Sequence, residues 1–191
     1  TSNSSYANGD MNGFKLGGSN GAVPTAHLVS NCLAFGNGHD GFTDNGNGGA
    51  LKLTNCTSYN NAKVNFNFYR TNKGVFTGMV TGSPNSSDKY GTSSVASTIS
   101  KSVYYTNSKY YYIDSAASIT NGQKNFTNVV SAPSFKSTSV PKLDGNVHSN
   151  CRNSDGTVKM DSLFEVSNSS YAGAKFGSQA ATVKGVSLKT K

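Results

Sequence analysis

The chain has 191 residues, a length that suits one domain, and its hydrophobic fraction of 35% is low for a layered globule built on bulk apolar burial. Charged residues make up only 14%, and Gly, Asn, Ser and Thr abound, so the composition fits a turn-dense all-β structure better than a charge-rich disordered chain. A net charge of +8, from 17 Lys+Arg against 9 Asp+Glu, favours a polyanionic partner; the basic residues are scattered singly, which argues against nucleic acid, and no stretch approaches the ~20 apolar residues of a membrane span.

The first strand-like piece is "GFKL" at 13–16, where alternation buries Phe14 and Leu16 and turns Lys15 outward. Next, "VSNCLAFGN" at 29–37 returns as "LTNCTSYNN" at 53–61, a repeat of 24 residues that carries Asn31 onto Asn55, Cys32 onto Cys56, Phe35 onto Tyr59 and Asn37 onto Asn61. Periods in the twenties belong to solenoids, and short alternating runs such as "ALKLTN" and "VNFNFY" between tight turns exclude a helical one. The expected fold is therefore all-β: a right-handed parallel β-helix, three short strands per coil, with an asparagine ladder.

The repeat predicts that ladder at Asn31 and Asn55, with Cys32 and Cys56 stacked as free thiols, because in-register parallel side chains seldom reach disulfide geometry. A third coil follows at an offset of 23, where "VFTGM" at 75–79 matches "KLTNC" at 52–56 and Gly78 replaces the ladder asparagine. Past residue 84, "SVYYTN", "KYYYID" and "NFTNVVS" read as further, less regular coils, and "SLFEV" as a capping helix or final strand. One domain over 1–191 is expected, with regular coils about 10–82, irregular coils and a tail over 83–191, and N-terminal coils lacking. A helix begun at Thr1 would expose an open apolar end.

Superposing "GFKL", "GFTD" at 41–44 and "NFNF" at 65–68 stacks Phe14, Phe42 and Phe66 inward and places Lys15, Thr43 and Asn67 in one outward column. A flat face with a lysine among polar side chains suits an extended polysaccharide. Arg70 and Lys63 border "VNFNFY" and could pair with sugar carboxylates or be plain surface charges. Asp40, before Gly41, reads as a turn residue, and His27, aligned with Leu51, as an inward or edge histidine. Sequons at Asn55, Asn125 and Asn168 carry little information in so polar a chain, and no histidine spacing suggests a metal site.

The strings "NGFKLGG", "HLVSNCLAFGNGHDGFTDNGNGGALKLTNCTSYNN" and "VNFNFY" closely resemble the β-helix of polysaccharide lyase family 9, which includes pectate lyases and related rhamnogalacturonan lyases. The match is strong over residues 8–70 and looser in the tail, at "DGNVHSNCRNSDGTV". The resemblance implies that Lys15 is the Brønsted base of a β-elimination on polygalacturonate, assisted by Ca2+, with an alkaline optimum. It also implies a secreted protein whose partner is a pectic polysaccharide, and a monomer is expected. One departure stands out. The family's "DDGxD" calcium cluster lies a few dozen residues before the lysine, whereas only fourteen residues precede Lys15. Calcium ligands are therefore expected upstream of this chain, and no metal ligand is assigned within it. Either the chain is the C-terminal part of a longer enzyme or it is a shortened relative that keeps the scaffold without the metal, and the alternative readings are a non-catalytic glycan-binding or structural solenoid and a rhamnogalacturonan lyase.

Overall fold

The computed structural model describes residues 10–18, 23–121, 126–140 and 162–175. Cys151, His148, Asn125 and the "DGNVHSNCRNSDGTV" segment lie outside them. All the regular structure in these residues is strand, so no helix there is long and apolar enough to cross a membrane.

Three strands make one coil, and successive coils stack. The first sheet holds β1 (Phe14–Lys15), β4 (Phe42–Thr43), β7 (Phe66–Phe68) and β10 (Lys89–Tyr90), all parallel. In the second, β2 (Leu28–Ser30), β5 (Lys52–Thr54), β8 (Val75–Thr77) and β11 (Ser97–Ser100) run parallel. The third contains β3 (Leu33–Phe35), β6 (Thr57–Tyr59), β9 (Val80–Gly82) and β12 (Ser102–Thr106), again parallel. Pairing falls at the register of the repeat: Leu33 opposes Thr57, and Lys52 opposes Val75.

Burial inside the coils is aromatic. Phe14 stacks on Phe42 at 4.5 Å between ring centroids, Phe42 on Phe66 at 5.3 Å, and Phe66 lies 5.8 Å from Tyr90. Phe68, Phe76, Leu53 and Ile99 complete a core that a chain so poor in apolar residues could not build with smaller side chains. Among the described residues, Phe14, Leu16, Val29 and Cys32 of the first coil are half-buried against the core, and β1, β2 and β3 end their sheets.

The corners explain the repeated asparagines. Asn31 and Asn55 both take φ 51°, Gly78 takes 66° and Lys101 takes 50°, one left-handed residue between the second and third strand of each coil. Asparagine tolerates that conformation and glycine adopts it without strain, so an Asn-to-Gly change there is conservative.

The ladder lies elsewhere than the repeat suggested. Asn31 does not use its amide along the stack; its Nδ2 donates to the Lys175 carbonyl at 2.7 Å and its Oδ1 accepts from the Lys175 N–H at 2.7 Å. The buried chain of amides is Asn37, Asn61 and Asn65. Asn37 Nδ2 donates to Asn61 Oδ1 (2.7 Å), Asn61 Nδ2 to Asn65 Oδ1 (2.8 Å), and Asn65 Nδ2 to the Gly82 carbonyl (2.9 Å). Those side chains satisfy buried polar groups that no strand ladder reaches. Cys32 and Cys56 are free thiols, the first half-buried and the second buried.

The parallel pattern runs past residue 82 through β10, β11 and β12 (Ser102–Thr106) and then ends. Rather than adding a coil, β13 (Lys109–Ile113) turns back at Asn107–Ser108, both at positive φ, and pairs antiparallel with β12. Likewise β14 (Ala117–Ile119) runs antiparallel to β11, and β15 (Val129–Val130) to β13. "SLFEV" forms neither a helix nor a named strand: Leu163 and Val166 make isolated bridges to Ser137 and Phe135. This segment covers the outer face of the third sheet, with Phe164 4.5 Å from Tyr59 and 4.9 Å from Phe35. Gly82 completes that column because a Cβ there would lie 2.7 Å from the Phe135 ring.

Candidate functional site on the first sheet

The register places Lys15 opposite Thr43, Thr43 opposite Asn67, and Asn67 opposite Lys89, so the outward column continues one coil beyond the residues the sequence reading had aligned. The four positions differ in what they offer. The Lys15 side chain is 42% exposed and forms an ion pair with Asp10, whose carboxyl the lysine's hydrogen bond and charge hold below the usual range. Thr43 is buried, its Oγ1 accepting from the Asn45 N–H at 3.1 Å, and burial leaves little of it on the face. Asn67 is half-buried and donates from Nδ2 to Asp40 Oδ2 at 2.7 Å. Lys63 and Arg70 are both exposed, but they flank β7 at opposite ends, and the structure does not bring them together.

Beside Lys15 opens a groove of about 360 Å³, walled by Leu16, Gly17, Val23, Thr25 and His27. His27 is exposed here, not inward; its carbonyl accepts from the Lys52 N–H. Asn47 fixes the floor. Its Oδ1 accepts from Thr25 N–H (3.0 Å) and Gly49 N–H (2.9 Å), while Nδ2 donates to the carbonyls of Leu16 (2.9 Å) and Thr25 (2.8 Å). One side chain thereby ties the end of β1 to the segment leading into β2.

The carboxylates near this face are structural. Asp40 Oδ1 accepts from the Val64 N–H, and the residue is buried rather than poised in a simple turn. Asp44, fully buried, accepts from Arg70 N–H (2.6 Å), Thr71 N–H (2.9 Å) and Gly46 N–H (3.3 Å), and burial raises its pKa. Among the described residues no group of three or more His, Cys, Asp or Glu side chains could hold a metal ion.

One coil on, Asp88 is buried under the same sheet, accepting from Phe66 N–H (3.2 Å), Tyr105 N–H (3.1 Å) and Thr81 Oγ1 (3.4 Å). Desolvation outweighs those bonds and pushes its pKa up to about 8. The unfolded chain therefore releases this proton first, and stability falls as pH rises from about 4 to about 8, with a slope approaching about 1.4 kcal/mol per pH unit. Asp88→Asn, which cannot titrate but loses the Tyr105 bond, should be the less stable form at acid pH. Urea titrations across that range should show the gap closing toward pH 8, and parallel profiles would refute the assignment.

Stacked parallel coils, with an outward column that has a lysine at each end and a groove beside it, define a parallel β-helix. Residues 1–85 match the family model of the Pel9A-like right-handed β-helix region. The chain is 48% identical over 62 residues to pectate lyase PEL9 of Emericella nidulans, covering 31% of this chain and 15% of that protein. It is 50% identical over 64 residues to pectate lyase L of Paenibacillus polymyxa, covering 34% and 14%. With the pectate disaccharide-lyase of Dickeya chrysanthemi it shares 48% identity over 66 residues, 35% of this chain and 8% of that protein. No solved structure matches. Over residues 1–85, then, the chain is similar to the right-handed β-helix of the Pel9A-like family and to pectate lyases. It spans no more than 15% of the length of these relatives.

Proposed function

We propose that the chain bears the base of a pectate lyase-like β-elimination on polygalacturonate, with Lys15 as the Brønsted base. What supports this is the setting of Lys15: an exposed amine at the first position of the outward column, over a groove, inside the stretch similar to pectate lyases. In the proposed step the neutral amine takes the C5 proton of a uronate, the electron pair forms the C4–C5 double bond, and the C4–O bond breaks toward the glycosidic oxygen, which takes a proton from solvent. The product is a 4,5-unsaturated uronide. In the ion pair with Asp10 Lys15 is an ammonium, so before the step it leaves Asp10 and gives one proton to solvent.

Ca2+ is the cofactor the family implies, and the described carboxylates do not fit it. Asp40 and Asp44 are committed to backbone N–H groups and Asp10 to Lys15. No step is assigned to calcium here. The same reading carries a single β-helix domain, secreted and monomeric, meeting a polymer outside the cell, and of the contacts expected from the sequence it keeps Asn67, Arg70 and Lys63 on the exposed side of the first sheet.

The engaged carboxylates favour one second reading, a glycan-binding solenoid without catalysis. Ultraviolet detection of unsaturated product from polygalacturonate at alkaline pH, with calcium and with chelator, separates the two. Product supports the lyase; pectate binding by a folded chain that forms none supports the binding module.

A further inference from the structure

We propose that the groove between Tyr69, Arg70 and Lys89 is a second acidic-sugar subsite, holding a uronate carboxylate between the two cations and the sugar ring against Tyr69. This rests on the reading of Lys15 as facing a polyuronide and extends it along the stack.

The strand period brings the residues together. Phe66 and Phe68 of β7 point into the core, so Asn67 and the following Tyr69 point out, and Lys89 of β10 lies in register with Asn67. Tyr69 is 36% exposed, and the Arg70 guanidinium carbon stands 5.9 Å from its ring centroid. Together with Asn72 and the Thr92–Ser94 turn they wall a groove of about 440 Å³ with no acidic residue in its lining.

The walls are fixed before any ligand arrives. Buried Asp44 pins the N–H groups of Arg70 and Thr71, and Thr92 Oγ1 accepts from the Val95 N–H at 2.8 Å. Neither Arg70 nor Lys89 has a carboxylate partner among the described residues, whereas Lys15, Lys101 and Lys136 each have one. Two cations over one polar groove are mutually repulsive until an anion sits between them. A planar guanidinium pairs bidentately with a carboxylate, and an exposed tyrosine gives a sugar ring an apolar face with a polar edge.

Spacing sets the ligand class. From β1 to β10 is three strand steps, roughly 14 Å, so one polymer running along the stack must be several sugars long to meet Lys15 and this groove together. Short oligomers reach only one of them.

Calorimetry with saturated galacturonate oligomers of increasing length tests the proposal. Wild type should tighten as the oligomer grows. The Arg70→Ala/Lys89→Ala double variant should lose about tenfold or more on long oligomers and little on the shortest. Lys109→Ala, which removes an exposed lysine outside the groove, should leave both unchanged. The subsite is refuted if the double variant binds long oligomers like wild type, if Lys109→Ala weakens them as much, or if wild type binds none. Failure of the lyase reading looks different: length-dependent binding that the double variant loses, with no unsaturated product from wild type, leaves the subsite standing.

Discussion

Lys15→Ala should reduce formation of unsaturated product by about 10²–10⁴-fold, the range a positioned general base contributes. The side chain is partly exposed and its one strong contact is an exposed ion pair, so the fold should tolerate the change to within about 0.5 kcal/mol. Lys15→Arg is the sharper control. It keeps the positive charge on the column and presents a guanidinium that does not give up its proton, so it should bind pectate and still form no product. Asp10→Asn should retain activity, because the proposed step needs the amine released from that carboxylate in any case. Initial rates on polygalacturonate for all three variants, beside circular dichroism of each, decide the matter. Lys15→Ala that turns over within a few-fold of wild type would assign the chemistry to another residue.

Asn61→Ala should be the most damaging single change in the stack, at about 3–5 kcal/mol. Its Oδ1 accepts from the Asn37 N–H and the Asn37 amide, and its Nδ2 donates to Ser58 Oγ and Asn65 Oδ1, all in the buried interior. Truncation strands donors and acceptors on three neighbouring residues where water cannot replace the lost partner. Asn31→Ala, by comparison, strains a left-handed corner and breaks two bonds to one backbone residue at the partly exposed edge, so about 1–2 kcal/mol is expected. Urea midpoints of the two variants, with unchanged denaturant dependence, would rank the columns. An Asn31→Ala as costly as Asn61→Ala would mean that the corner, not the amide chain, holds the coils together.

That comparison also shows how far the sequence could be read. Asn31/Asn55 and Asn37/Asn61 recur at the same offset, so periodicity alone cannot tell a corner that tolerates positive φ from an amide that bonds along the stack; the backbone conformation decides it. The aromatic stack was legible because Phe14, Phe42 and Phe66 keep both spacing and chemistry. The outward column was legible as far as Asn67, and Lys89 was missed because the offset there shrinks to 22 residues. "DKY" at 88–90 carried the signal, with Tyr90 continuing the inward stack and Lys89 its outward neighbour. Neither the burial of Thr43 nor the pairing of Lys15 with Asp10 is visible without coordinates, since both depend on residues brought close by folding. The hairpin at Asn107–Ser108 was hidden for a different reason: tyrosine-rich strands look alike whether the next one runs parallel or antiparallel.

The reversal of chain direction after β12 bears on assembly. A stack of identical parallel coils is in principle an open-ended polymer unit, since the last edge of one molecule could accept the first edge of the next and a fibre would grow without closing. Here the second sheet finishes on β14, which runs against its coil strands, and the third passes through the reversed β13 before β15 restores the coil direction. An incoming first coil would meet a strand of reversed direction on one side of the triangle, at β14. That reversed edge, and the antiparallel hairpin of β12 and β13 beside it, oppose at this end the growth that the repeat itself would allow.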